Sequence, residues 1–163
     1  MGFRPRSLLV VAPLALLLGC GTAVGDGAQA CTEIGAPSGV GVVVDGAGAE
    51  RANQVRLRAC WDGACQRSVA GLTEGTRAVD EGCEGEDPDA VCSARTEPDG
   101  TMTGFAEIDL PDAPVMVVAR VLDRTARAIA VTRVSQTPAL VEPNGPSCPP
   151  GGRQLRVVVE IPG

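Results

Sequence analysis

The stretch QVRLRACWDGAC, Gln54 to Cys65, decides the fold because it holds a strand, a turn and the start of a returning strand. An alternation of period two predicts one face made of Val55, Leu57, Ala59 and Trp61 and another made of Arg56, Arg58 and Cys60. Asp-Gly suits a two-residue hairpin turn, so Trp61 and Ala64 close the turn and Cys60 faces Cys65. Residues so placed are near the short end of the range that a disulfide accepts. We therefore predict a disulfide-closed hairpin that places Trp61 in the core.

Two features of this hairpin leave alternatives open. Beyond Cys65 the same register would point Gln66 and Ser68 inward, so we expect a bulge or a shorter paired segment there. A redox-active or metal-binding cysteine pair is disfavoured, because the spacing is not CxxC and the chain has no histidine. A surface recognition role for Trp61 is the alternative to the core position.

Period-two alternation continues in most of the chain. Strands are predicted at VGVVVD (40–45), MTGFAEIDL (102–110), PVMVVARVL (114–122), ARAIAVTRV (126–134) and QLRVVVEI (154–161). No window of helical length has an apolar stripe of period 3.6. We predict an all-β domain over residues 31–163, a single antiparallel β-sandwich of seven to eight strands, Ig-like or fibronectin-like. An up-and-down barrel is the alternative.

The N-terminus has the layout of an export signal. Arg4 and Arg6 precede an apolar run, Leu8 to Leu18, that is too short to span a bilayer. Residues 17–20, Leu-Leu-Gly-Cys, resemble the lipobox of bacterial lipoproteins, which implies cleavage after residue 19 and lipidation of Cys20. Residues 20–30 are then a lipidated cysteine and a flexible tether. An ordinary signal peptide cleaved near Ala23 or Ala30 is the alternative.

The cysteine count supports the lipobox. Of seven cysteines, lipidation of Cys20 leaves six, and an even set outside the cytoplasm predicts a disulfide framework. Sequence proximity predicts the two local pairs, and the long pair follows because first and last strands commonly lie together in sandwiches. The predicted pairs are Cys31–Cys148, Cys60–Cys65 and Cys83–Cys92.

Composition excludes most catalytic classes. The chain has no histidine, lysine or tyrosine, which removes the usual general base, the usual zinc ligand and Schiff-base chemistry. We predict that the protein is not an enzyme and has no cofactor and no metal. An enzyme that uses carboxylates alone is a distant alternative. Twelve arginines against twenty acids give the mature chain a charge of −8, so nucleic acid and anionic lipid are poor partners.

An acidic segment lies in the long connection from Thr73 to Gly100, which lacks regular patterning. Six acids lie from Asp80 to Asp89, and Cys83 and Cys92 bracket most of them. A solvated loop closed by a local disulfide is the plain interpretation. Its spacing departs from that of an EF-hand loop, so the calcium signal is weak. The alternative ligand to calcium is a cationic patch on another envelope protein. The candidate binding residues are Asp80, Glu81, Glu84, Glu86, Asp87 and Asp89.

The lipobox, CTEIGAPSGVGV (31–42), CWDGAC (60–65) and the valine-rich strands together resemble small actinobacterial lipoproteins with an Ig-like domain. This resemblance implies a location on the extracytoplasmic face of the cell membrane. We expect a lipid-anchored binding or structural module for cell-envelope partners. An accessory subunit of an exported enzyme or envelope transporter is the alternative.

Overall fold

The computed structural model describes residues 31–85 and 89–162. Within these ranges the protein is all-β, with nine strands and one short 3-10 turn at Ala49–Arg51. The strands are β1 Gly39–Asp45, β2 Gln54–Trp61, β3 Ala64–Gly71, β4 Thr73–Cys83, β5 Cys92–Glu107, β6 Val115–Leu122, β7 Ala128–Gln136, β8 Ala139–Leu140 and β9 Arg153–Glu160.

The strands form two sheets. Sheet I has the order β4-β5-β1-β9-β8, and sheet II has the order β3-β2-β6-β7. Sheet I is mixed, because β1 and β9 run parallel from Gly39↔Gln154 to Asp45↔Glu160. The prediction of an entirely antiparallel sandwich is therefore wrong for this pair. Alternation could not show it, since side chains alternate with period two in either direction.

The strand order also differs from that of a constant-type immunoglobulin domain. There the first two strands share a sheet, whereas here β1 lies in sheet I and β2 in sheet II. The central position of β6, between β2 and β7, agrees with its apolar residues on both faces.

One apolar core lies between the inner faces of the two sheets. Every second residue of β1, β2, β6 and β9 is buried, as the alternation predicts. Valine supplies most of the fully buried side chains, as expected for β-branched residues on a pleated surface. Trp61 is half-buried and packs against the edge of this core. Its predicted core position is therefore correct only in part.

The β2–β3 hairpin has the predicted register, with Trp61 opposite Ala64 and Cys60 opposite Cys65. Asp62 and Gly63 both have positive φ, 48° and 77°, which is the conformation of a type I′ turn. The expected bulge after Cys65 is wrong, since pairing continues without a shift to Gln54↔Gly71. Gln66 can point to the inner side because β3 is an edge strand and leaves that side chain exposed.

The connection from Thr73 to Gly100, predicted to be irregular, is instead mostly β4 and the first half of β5. These strands pair from Thr73↔Thr103 to Cys83↔Cys92. Most of their residues before Thr101 are exposed, so no apolar face marks them in the sequence. Asp99-Gly100 does not end a strand but lies where the register shifts opposite Gly75, and Gly100 has φ 82°.

Three disulfides join Cys31–Cys148, Cys60–Cys65 and Cys83–Cys92, the pairs expected from the sequence. The long pair spans 117 residues and ties the segment before β1 to the segment before β9. The other two close the hairpins β2–β3 and β4–β5.

Candidate functional site

The outer face of sheet II carries a cluster of arginines. Some residues of β2 point away from the core. Each of them lies opposite an outward-pointing residue on both neighbouring strands, so the register fixes their arrangement. Arg58 lies opposite Arg67 of β3, and Arg56 lies opposite Arg120 of β6. Val118, the partner of Arg58 on β6, lies opposite Arg133 of β7. We call this surface the arginine face, defined by Arg56, Arg58, Arg67, Arg120 and Arg133.

The arginine face carries no compensating negative charge in the part of the chain that the structure describes. Its five side chains are exposed, and none makes an ion pair with a carboxylate there. Arg58 Nη2 instead donates to Cys65 Sγ at 3.1 Å. A shallow depression of about 440 Å³ lies among the arginines, with Val118 and Leu57 completing its lining. An incoming acidic group would find several guanidinium groups around one opening.

Apolar side chains border the arginines on the same face. Val69 lies opposite Arg56 and is 57% exposed, while Val131 lies opposite Arg120 and is 55% exposed. Met116, opposite Cys60, is 40% exposed. A surface that combines charged groups with exposed apolar groups is more typical of a protein-binding surface than of one that contacts only solvent.

The pairing of these arginines with one another gives no stability that would explain arginine at these positions. Like charges directly opposite each other on neighbouring strands are destabilising, by the measure of about 0.2–1 kcal/mol for a cross-strand pair. Two such pairs, Arg58 with Arg67 and Arg56 with Arg120, occur side by side. The fold tolerates a cost here that polar uncharged residues would avoid. Because every basic residue of the chain is arginine, the choice of arginine over lysine carries no further information.

The predicted acidic loop lies at the end of the β4–β5 hairpin. Asp80 and Glu81 belong to β4, and Glu84 and Asp89 lie beyond the Cys83–Cys92 disulfide. Glu86 and Asp87 fall outside the described residues. Where the chain is described, no three His, Cys, Asp or Glu residues are close enough to hold a metal.

The acids of this hairpin have different surroundings. Glu81 and Glu97 both pair with Arg95, and Arg77 also reaches Glu97 at 3.4 Å. The Oδ1 atom of Asp80 accepts from the backbone N–H of Gly82 at 2.8 Å. Glu84 and Asp89 are exposed and make no ion pair with the described residues. The net negative charge of the hairpin is therefore concentrated at its tip.

Asp99 has a local role at the base of the hairpin. Its carboxylate accepts from the hydroxyl of Thr101 at 2.7 Å and from the Thr101 backbone N–H at 3.0 Å. These hydrogen bonds, the hydroxyl one first, lower the pKa of Asp99 below its usual value of 3.8. Asp99 thus stabilises the register shift opposite Gly75 and is not part of the tip.

Cys20, the predicted lipidation site, lies outside the described residues, as do the predicted signal and tether. Over the described ranges, no helix has the length and apolar character needed to cross a membrane.

Comparison with known proteins gives no match to a family model, a curated protein or a solved structure.

Sequence reasoning missed the arginine face. The sequence did place Arg56 and Arg58 outward, and the predicted hairpin register could have placed Arg67 opposite Arg58. Arg120 and Arg133 come from strands about sixty residues further on, and only the pairing of β2 with β6 brings them beside the first three. The signal in the sequence was therefore limited to the hairpin.

Proposed function

We propose that the protein is a lipid-anchored, extracytoplasmic binding module that holds an acidic cell-envelope protein on the arginine face. The single observation that carries this proposal is the grouping of five exposed arginines with no ion-pairing carboxylate among the described residues. Complementary charge favours encounter and orientation of a partner, and the exposed valines and methionine add area for contact. The lack of histidine and lysine favours binding over catalysis.

Lipidation of Cys20 would hold the protein at a membrane surface. The ten residues after Cys20, GTAVGDGAQA, are mostly small and polar, which is the composition of a linker. Anchoring confines the module and its partner to one surface, which raises their effective concentration. A modest intrinsic affinity is then sufficient.

We further propose that the domain resembles an immunoglobulin-like domain in its two-layer architecture and in its role as a support for a binding surface. Two sheets around one core, with loops and a hairpin outside them, form a rigid support for a recognition surface. The parallel β1–β9 pair and the separation of β1 from β2 set it apart from the constant-type strand order.

Binding of poly-L-glutamate, used as a stand-in for an acidic protein surface, tests the arginine face. The test variant is Arg58→Glu/Arg67→Glu, which replaces one like-charge cross-strand pair with another. The control is Arg124→Glu/Arg156→Glu, which makes the same change of net charge in the β6–β7 turn and on the outer face of sheet I. Full-length protein in detergent is titrated with labelled probe at about 10 mM salt, where screening is weak.

We expect the face variant to lose at least about tenfold in affinity and the control to lose less than about threefold, equivalent to about 1.4 and 0.7 kcal/mol. Equal losses in both variants would mean that only the total charge matters. That result would remove the basis for a binding site on sheet II.

The anchor has its own test, because Cys20 is the only residue that the lipobox modifies. Cys20→Ala should move the protein out of the membrane fraction or leave it unprocessed, as measured by fractionation and by the mass of the N-terminal peptide. A variant that stays membrane-bound and is cleaved at the normal position would contradict lipidation.

A further inference from the structure

The proposed function does not identify the acidic partner. Resting on that function, we propose that one partner is a second copy of this chain. The β4–β5 hairpin of one molecule would dock its acidic tip on the arginine face of the next. We call the hairpin the acidic arm, defined by residues 75–85 and 89–100.

The acidic arm is a free-standing ribbon. On β5, pairing with β1 begins at Met102, so the β5 residues before Met102 pair with β4 alone. Nine residues from Gly75 to Cys83 extend roughly 30 Å at about 3.3 Å per residue. An isolated two-stranded hairpin is marginally stable, and this one is held by the Cys83–Cys92 disulfide and the ion pairs around Arg95. Covalent reinforcement of an element that adds little to the core indicates a role outside folding.

The acidic arm and the arginine face carry charge of opposite sign. The arm, residues 75–85 and 89–100, contains six of the twenty acids and only two arginines. Glu84 and Asp89, at the described part of the tip, make no ion pair there. The tip of the arm and the arginine face are therefore oppositely charged, and neither makes an ion pair among the described residues, which is the condition for electrostatic complementarity.

A single molecule does not bring its own two surfaces together. The arm continues two strands of sheet I, whereas the arginine face is the side of sheet II that points away from sheet I. The ion pairs of the arm join residues of the arm to one another, and none of them involves a residue of sheet II. The arm of one molecule is thus available to another.

Such a contact is heterologous, because the arm of one copy meets the face of the next and each copy keeps one surface unused. Repetition produces a ring where the rotation between copies closes and an open chain where it does not. Copies anchored in one membrane are already concentrated at a surface, which favours this association.

A mixing experiment tests the heterologous contact with full-length protein in detergent. One tagged form is immobilised, and capture of a second tagged form is measured at about 10 mM and about 150 mM salt, where the Debye length is about 30 Å and about 8 Å. The face variant is Arg58→Glu/Arg67→Glu. The arm variant is Glu84→Arg/Asp89→Arg, and Arg124→Glu/Arg156→Glu is the control.

We expect wild type to capture itself at low salt and at least about tenfold less at the higher salt. The face variant and the arm variant should each fail to capture themselves, yet capture each other, because the mixture restores one arm and one face. The control should behave as wild type. A chain that carries both sets of reversals should capture itself again.

The outcomes separate this inference from the proposed function. Absence of self-capture by wild type, while poly-L-glutamate still binds in a manner dependent on Arg58 and Arg67, would overturn the self-association and leave the binding function standing. Self-capture that survives in the face variant would also overturn it. Loss of both self-capture and probe binding would contradict both proposals.

Discussion

At the scale of single residues, Asp123 holds the β6–β7 turn. Its Oδ1 atom accepts from the hydroxyl and the backbone N–H of Thr125 and from the backbone N–H of Arg127, at 2.7, 2.8 and 3.0 Å. The Thr125 hydroxyl and then the Arg127 N–H lower the pKa of Asp123 below its ordinary 3.8. Because the folded pKa is the lower one, this stabilisation is present above 3.8 and is lost as pH falls through the folded pKa.

Asp123→Asn should therefore lower the urea midpoint most at about pH 7, where the carboxylate is charged. The difference from wild type should narrow as the pH falls below 3.8 and through the folded pKa of Asp123, since the carboxylate then gains a proton in the folded chain as well. Urea unfolding at several pH values measures it. A constant difference across this range would mean that the charge of Asp123 does not contribute.

Gly39 is a second residue whose identity the packing dictates. A Cβ there would collide with the backbone carbonyl oxygen of Ala106 and would lie 2.6 Å from the ring of Phe105. The carbonyl is held in the β1–β5 pairing and cannot move aside. We expect Gly39→Ala to destabilise the fold by about 1–3 kcal/mol, as overpacking does. Gly71→Ala, which meets nothing within 4 Å, is the control in urea unfolding and should change little.

At the scale of elements, the disulfides should differ in what they stabilise. Cys31–Cys148 closes a 117-residue span, and the chain-entropy model gives it about 4–5 kcal/mol of global stability. Cys83–Cys92 closes an arm that pairs only with itself, so Cys83→Ser/Cys92→Ser should loosen the arm locally. Hydrogen exchange should speed up at residues 76–82 and 93–98, with the urea midpoint nearly unchanged. A large fall in that midpoint would show that the arm supports the core.

Sequence patterning identified the elements that have one buried face. β1, β2, β6, β7 and β9 begin and end within about two residues of the predicted strands. Alternate side chains of β1, β2, β6 and β9 are buried in the core, and apolar side chains of β7 are partly buried against it. β4 and the first half of β5 escaped prediction, since residues exposed on both sides leave no alternation to detect. The parallel direction of β9 beside β1 depends on the path of the whole chain, which local periodicity does not record.

At the scale of the whole molecule, the net charge hides how the charge is arranged. The chain is acidic, with a net charge of −6, and the sequence therefore disfavoured nucleic acid and anionic lipid as partners. The fold instead gathers arginines from β2, β3, β6 and β7 on one face and places many of the acids on the arm. Only Arg56, Arg58 and Arg67 could be placed from the hairpin, whereas the complete face depends on contacts between distant strands.

The central claim is that these arginines serve binding at some expense of stability. The most direct measurement is the shift in urea midpoint that poly-L-glutamate produces in wild type and in Arg67→Thr/Arg120→Thr. That variant removes both like-charge cross-strand pairs and introduces a residue well suited to strands.

Without probe, we expect the variant to be as stable as wild type or up to about 2 kcal/mol more stable. With probe, wild type should be stabilised by ligand linkage, and the variant should shift by less than half as much. A variant that starts more than about 1 kcal/mol less stable, yet shifts as far as wild type, would contradict the account, because the arginines would then be structural.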